Sequence, residues 1–314
     1  MFSIIIPLYN KIQFISRAID SVLNQTFKEY EIIVINDGST DGGEKLVSEK
    51  YGEKIKLFHQ ANQGVSIARN NGIANAEYNY ISFLDADDFW HKGYLEAVNS
   101  VICEFPDVGI IGTGYTSNSF ESLDRLDFYL LKEYFNKAIK NTFFFTSATT
   151  IKKSFFHNNP GFDPQLKMGE DLDVWFRANL YFGDGLYISN KMVYYGNEDE
   201  QRAVNKLYLF EESLIYKIID PKYFTNAIGH AVTSEDQFEL FKEKWIYFNL
   251  FPLYREKLNK ENLNNLLRAL PFRLYLVSVF YRIPFEFLHN LFSNRKLSIL
   301  FRNYMKFCFR FIYT

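Results

Sequence analysis

Residues 80–88 read Tyr80-Ile81-Ser82-Phe83-Leu84-Asp85-Ala86-Asp87-Asp88. A short run of apolar and aromatic residues bounded by turn residues is the mark of a buried strand. Here it ends abruptly in three acids within four residues, where carboxylates are costly unless paired or metal-bound. Two of them, at i and i+2 on an irregular loop, are hard oxygen donors suited to Mg2+ or Mn2+, with substrate phosphates completing the shell. The plainer alternative is a solvated acidic turn. An EF-hand is excluded, because the rest of its ligand spacing is missing.

Working outward, residues 3–7, 31–36, 56–59 and 108–112 repeat the same kind of short apolar run. Between the runs, Ile12, Ile15, Ile19 and Val22 recur at helical spacing after Asn10, which is read as the N-cap. Residues 44–51, 65–74 and 94–104 supply further helices. Strand–helix alternation with short loops predicts a largely parallel sheet covered on both faces, and ligands bind such sheets at the carboxyl ends of the strands. The residues just past each strand are therefore the ones to read for chemistry. The first strand runs into Pro7-Leu8-Tyr9-Asn10 and the second into Asn36-Asp37-Gly38-Ser39-Thr40-Asp41. Asp37, at a strand end before a glycine turn, suits a nucleoside base or ribose, or else caps the next helix. The string 62–72 opens a helix with Gly64 at the turn and Arg69 one turn inside, positioned for a nucleotide or for the surface. Neither G-x-G-x-x-G nor a Walker phosphate loop is present, which argues against dehydrogenases and kinases.

The formal charge of −2 on 314 residues hides a split. Residues 271–314 carry Arg273, Arg282, Arg295, Lys296, Arg302, Lys306 and Arg310 against Glu286 alone, so the first 270 residues are acidic. In that tail Arg302, Lys306 and Arg310 follow one helical face, while Leu297, Leu300, Phe301, Tyr304, Cys308 and Phe311 line another. A basic face beside an aromatic one suits a helix lying on an anionic membrane surface; packing on its own domain or a homodimer contact are the alternatives. Nucleic acid is not expected, since the larger part is acidic and holds no base-reading motif. Cys103 and Cys308 form neither a disulfide framework nor a metal-ligand spacing. With no basic leader and no run of about 18 apolar residues, the expectation is a cytoplasmic protein, peripheral on the inner face of the cell membrane.

Taken in order, IIIPLYN (4–10), VINDGSTDGG (34–43), NQGVSIARNNG (62–72), ISFLDADD (81–88) and KMGEDLDVWFRA (167–178) resemble the family 2 glycosyltransferases, inverting enzymes with a GT-A fold. The resemblance covers residues 2–196. It implies an α/β GT-A architecture, a mostly parallel central sheet flanked by helices, with an α-helical C-terminal extension. Residues 1–200 would be the catalytic domain, 1–112 its nucleotide-binding half and 113–200 its acceptor and catalytic-base half. Residues 201–314 would be the helical region.

The family roles fall on Pro7, Tyr9 and Asp37 for the uridine pocket and on Arg69 for the nucleotide side. Asp85 is placed near the ribose, and Asp87 toward the diphosphate and a Mn2+ or Mg2+ ion. Asp88 is expected behind that pair or as a helix cap. Glu170 and Asp171 match the acidic pair whose second member is the general base, in a helix start that favours carboxylates. Trp175 is read as stacking on a sugar ring or packing in the core. One departure stands out: after the last strand the family's His is missing, and Asn197 takes its place or Gln201 and Arg202 reach the diphosphate. The processive Q-x-x-R-W string is also absent, so one sugar would be added per acceptor. The implied activity is metal-dependent transfer from a nucleoside diphosphate sugar, UDP-linked, to a glycan or lipid-linked saccharide in cell-surface polysaccharide synthesis. Two competitors are a catalytically weak partner subunit that binds nucleotide sugars or glycans, and a sugar nucleotidyltransferase. The latter needs a glycine-rich basic signature that Pro7-Leu8-Tyr9-Asn10 lacks. Residues 113–145 are assigned to acceptor choice and 146–151 to a returning strand. The stripes Leu207, Phe210, Leu214, Ile218 and Phe238, Phe241, Trp245, Phe248 are read as helices.

Overall fold

The computed structural model describes residues 1–139, 141–196, 198, 207–220, 222–223, 235–271 and 273–313. Among them, nine strands form one sheet: β1 (Phe2–Leu8), β2 (Tyr30–Asp37), β3 (Lys56–Gln60), β4 (Tyr80–Phe83), β5 (Phe89–Trp90), β6 (Ile110–Thr116), β7 (Phe128–Leu130), β8 (Thr149–Lys152) and β9 (Leu186–Tyr194). The order is β3-β2-β1-β4-β8-β6-β9-β5, with β7 paired to β9. Strands β1 to β4 are parallel, as the alternation with helices requires. Beyond β4 the sheet is mixed: β8 runs antiparallel to both β4 and β6, whereas β6 and β9 are parallel. The mostly parallel expectation thus holds for the first half only. Residues 146–151 are not one strand either; a 3-10 turn, Thr146–Ala148, precedes β8.

Strand alternation sorts the core onto two faces. Phe2, Ile4, Ile6 and Leu8 of β1 pack with Ile32 and Val34 of β2 against α1 (Ile12–Leu23), α2 (Gly43–Tyr51) and α4 (Tyr94–Glu104). Ile5, Ile33 and Ile35 face the opposite way, against α3 (Val65–Asn75) and α7 (Glu170–Phe182). Short helices α5 (Tyr134–Ala138) and α6 (Phe155–Asn158) join that second face.

The C-terminal helices continue the same core. They are α8 (Leu214–Ile218), α9 (Glu235–Asn249), α10 (Lys260–Ala269), α11 (Tyr275–Ser278), α12 (Phe285–Ser293) and α13 (Arg295–Phe311). Phe176 of α7 meets Phe241 and Trp245 of α9 with ring centroids 5.0 and 5.5 Å apart, and Phe135 meets Phe238 at 5.3 Å. The high aromatic content therefore joins the two regions instead of leaving them separate. Leu207, expected on a helical stripe, is exposed; a 3-10 turn at Phe210–Glu212 precedes α8.

One local expectation fails for a tertiary reason. Asn10 does not cap α1: it adopts a left-handed φ of 50°, and its Oδ1 accepts from the Thr40 N–H at 2.8 Å. The cap comes from another loop, where Asp41 accepts from the Ile12 N–H at 2.8 Å and the Gly43 N–H at 2.9 Å. The tail helix α13 follows in part the alternative that packs it on its own domain. Phe301, Met305, Cys308 and Phe309 are buried, and Arg302 lies over Phe248 and Phe251 of its own chain. Leu297, Leu300, Phe307 and Phe311 remain exposed. No helix among the described residues is long and apolar enough to cross a membrane.

Helix α3 crosses β1 closely at Gly72, where a Cβ would overlap the Ile5 side chain. Gly72→Val is expected to lower unfolding stability by about 1–3 kcal/mol through overpacking, read as a lower urea midpoint with an unchanged m-value.

Candidate active site

The site is assembled from the strand ends upward. Asp37 closes β2, and its carboxylate accepts from Gln60 Nε2 at 2.7 Å and from the backbone N–H groups of Gln63 and Gly64 at 2.8 and 2.9 Å. Gly64 takes a φ of +92°, which lets the chain turn directly into α3. Asp37 thereby fastens the start of α3 to the end of β2, besides lining the cavity described below.

Arg69, one turn into α3, is only 4% exposed. Its guanidinium reaches Asp85 Oδ1 at 2.8 Å and Glu170 Oε1 at 3.5 Å, and lies 5.2 Å from the Phe162 ring centroid. Burial works against its charge, but the two carboxylates overcome that and hold it protonated. The acidic loop after β4 and the start of α7 therefore share one cation.

Helix α7 begins after Gly169, whose φ of +84° makes the turn. Glu170 and Asp171 occupy its first turn, at the positive end of the helix dipole. Burial, and then the neighbouring Asp171 charge, push Glu170 up to about 7 against the pull of Arg69. Burial raises Asp171 as well. Asp171 Oδ1 accepts from the Leu172 N–H at 2.7 Å, and Oδ2 from Thr146 Oγ1 at 3.4 Å.

On the acidic loop, Asp87 Oδ2 pairs with Lys11 Nζ at 2.6 Å, and Arg17 donates to the Asp87 carbonyl at 2.7 Å. Asp88 is buried behind the pair, as one expectation had it, accepting from Ser147 Oγ at 2.5 Å and the Gly196 N–H at 2.9 Å. Burial, followed by the Asp85 charge, pushes it up to about 8. Ser147 Oγ also accepts from the Asp85 N–H at 3.0 Å, so it spans the loop from both sides.

These groups line one cavity of about 550 Å³, within the range of small-ligand pockets. Pro7, Tyr9, Asp37, Arg69, Asp85, Asp87, Glu170 and Asp171 all contribute to it. Trp175 does not. It is fully buried, its ring centroid 5.9 Å from that of Phe83 and 6.0 Å from that of Phe162, so it packs in the core and cannot stack on a sugar. Asn197, Gln201 and Arg202 lie outside the described residues. Sequence reading missed Lys11, Arg17, Thr146 and Ser147; the first stands directly after Asn10, and the last two were read only as strand.

Residues 3–159 match the family model for glycosyl transferase family 2. The chain belongs to this family. A glycosyltransferase of Rickettsia bellii is 33% identical over 204 residues, which cover 61% of this chain and 30% of the relative. The chain thus spans less than a third of that relative's length. Among solved structures, S. aureus TarS 1–349 in complex with UDP-GlcNAc superposes with a TM-score of 0.70 at 19% identity, over 98% of this chain and 91% of that one. The mannosyltransferase PcManGT from Pyrobaculum calidifontis, in complex with GDP-Man and Mn2+, gives 0.57 at 16% identity over 96% and 87%. Both share the GT-A fold.

Among the described residues no three His, Cys, Asp or Glu side chains are grouped to hold an ion unaided. The donor set fits a hard divalent cation shared between Asp85 or Asp87 oxygens and a ligand's phosphates. The Lys11 ammonium on Asp87 already marks a cation position there.

The raised Glu170 carboxyl has a consequence for stability. The folded state holds its proton above the ordinary range, so this group destabilises the fold progressively as pH rises from about 4.5 to about 7, and fully above that. Glu170→Gln is expected to gain more thermal stability at pH 8 than at pH 5, by about 2–4 °C for each kcal/mol relieved. Thermal melts of both proteins at the two pH values check this.

Proposed function

We propose that this chain is an inverting, metal-dependent glycosyltransferase that moves one sugar from a UDP-linked donor to a saccharide acceptor. The observation that carries the reading is that one cavity holds both the Asp85–Asp87 pair and the Glu170–Asp171 pair, joined through Arg69. A UDP-GlcNAc complex of a fold neighbour supports the donor class, and the GDP-Man and Mn2+ complex of another supports a divalent ion.

In this mechanism Pro7, Tyr9 and Asp37 bind the nucleoside, and Arg69 orients Asp85 toward the ribose. Asp87, with Asp85, would hold a divalent cation, which when bound would supply charge neutralisation for the departing diphosphate. Asp171, made more basic by burial, takes the proton of the acceptor hydroxyl as that oxygen attacks the anomeric carbon. The new C–O bond forms as the bond to the diphosphate breaks, the electron pair leaves with the diphosphate, and the configuration inverts. Arg69 keeps Glu170 beside the base, and Lys11 and Arg17 hold Asp87 from the opposite side.

The membrane reading narrows to the outer stripe of α13. Leu297, Leu300, Phe307 and Phe311 are exposed on one side of the helix, flanked by Lys296 and Arg310. This combination suits an anionic lipid surface, and a saccharide carried on a lipid at the cell membrane is the acceptor that such docking would serve in surface polysaccharide synthesis.

Asp171→Asn is expected to keep UDP affinity and to lose transfer by about 10²-fold or more, measured by calorimetry and by UDP release. Asp87→Ala is expected to abolish the Mn2+-dependent part of UDP binding. Unimpaired turnover by Asp171→Asn would remove Asp171 as the base. The triple change Leu300→Ser, Phe307→Ser, Phe311→Ser is expected to reduce flotation with anionic liposomes at unchanged melting temperature; equal recovery contradicts the docking.

A further inference from the structure

A second cavity, about 720 Å³, lies between the start of α7 and the C-terminal helices. It meets the first at Glu170, which lines both. Its remaining wall has an unusual composition. Lys167, Arg255, Arg295 and Arg302 all contribute, on three separate segments of chain, and all four are solvent-exposed. Among the described residues none of the four forms an ion pair with a carboxylate. Arg255 Nε donates only to the Phe292 carbonyl at 3.3 Å, and Lys167 Nζ to the Pro164 carbonyl at 3.2 Å. Arg302 rests over the Phe248 and Phe251 rings at 5.0 and 5.3 Å, and the partial burial of its guanidinium depresses its pKa with no acid offsetting the cost. Phe251 and Tyr208 add aromatic surface to the same wall.

Four cations gathered around one concavity, none ion-paired with a carboxylate among the described residues, make a site for a dianion. Guanidinium groups suit phosphate in particular, because their planar fork donates two hydrogen bonds to its oxygens. The aromatic surface suits the flat face of a sugar, and the Glu170 end lies beside the proposed base.

We infer that this cavity is the acceptor subsite, and that the acceptor it takes is a saccharide bearing phosphate near the attacking hydroxyl. The inference rests on the glycosyl-transfer reading above and assigns the substrate class of that site. It also relocates acceptor choice. The cavity wall contains nothing from residues 113–145, where the sequence reading put acceptor selection, and draws instead on the loop before α9's successor helices and on α13. The cavity-facing side of α13, with Arg295, Ser298 and Arg302, is not the side that exposes Leu300, Phe307 and Phe311.

The test uses the full chain saturated with UDP and Mn2+, so that the first cavity is closed to competing anions. Calorimetry then compares N-acetylglucosamine 1-phosphate and a farnesyl diphosphate-linked N-acetylglucosamine with unphosphorylated N-acetylglucosamine. Both phosphorylated probes are expected to bind at least tenfold more tightly than the neutral sugar, with an advantage that shrinks as salt rises. Preference for the lipid-linked probe alone would assign the phosphate to a lipid carrier; equal binding would assign it to the saccharide. Arg255→Gln and Arg295→Gln, both exposed, are each expected to weaken the phosphorylated probes by at least tenfold, leaving UDP affinity and melting temperature unchanged. In transfer assays they should raise acceptor KM and leave kcat in place. Equal affinity for charged and neutral probes, or wild-type binding by both variants, overturns the inference. Failure of the wild type to bind UDP would instead count against the glycosyl-transfer reading, and a loss of probe binding in Arg255→Gln and Arg295→Gln, which line only the second cavity, would still report on this one.

Discussion

A single buried guanidinium organises the centre of this protein. Asp85, Asp88, Glu170 and Asp171 crowd acids into a partly dry cleft, an arrangement that is costly without a cation among them. Arg69 supplies it, bridging the loop after β4 to the first turn of α7. Its position depends on α3, which depends on Asp37 holding the N–H groups of Gln63 and Gly64. The chain of dependence therefore runs from a strand-end aspartate, through a helix start, to one arginine and then to the acids. Burial, and then the neighbouring carboxylate charges, push Asp88 and Glu170 up to about 8 and about 7, so proton uptake there relieves the remaining charge.

This arrangement gives several motif residues two duties. Asp37 lines the cavity and builds it. Arg69 lines the cavity and ties Asp85 to Glu170. Asp87 is held by Lys11 and Arg17 in a pose that keeps its carboxylate at the cavity wall. The C-terminal helices take part as well, because their aromatic residues complete the core behind α7 and so hold its first turn in place. The basic surplus of the tail then divides between an inner side, facing the second cavity, and an outer rim beside an apolar stripe.

Much of this was legible in the chain because it is encoded locally. Apolar runs ending in turns gave β1 to β4, and the residues after them reached the cavity. What was not legible was encoded at a distance. The cap of α1 comes from Asp41, the partner of Asp87 is Lys11, and Ser147 braces the acidic loop from across the sheet. Trp175 stayed open between a sugar platform and the core because the spacing from Asp171 gives the side of a helix but not its depth; one turn further on, α7 has already entered the core. The tail stayed open for the same reason, since amphipathicity does not say whether the apolar side meets lipid or its own protein.

The most direct measurement is a crystal structure with UDP and Mn2+, with the ion located by anomalous scattering. The account predicts one strong peak beside Asp87, the Lys11 ammonium displaced from that carboxylate, and the uracil ring against Tyr9 and Asp37. Nucleotide bound away from the cavity that Arg69 organises, or an ion with no contact to Asp85 or Asp87, would contradict it.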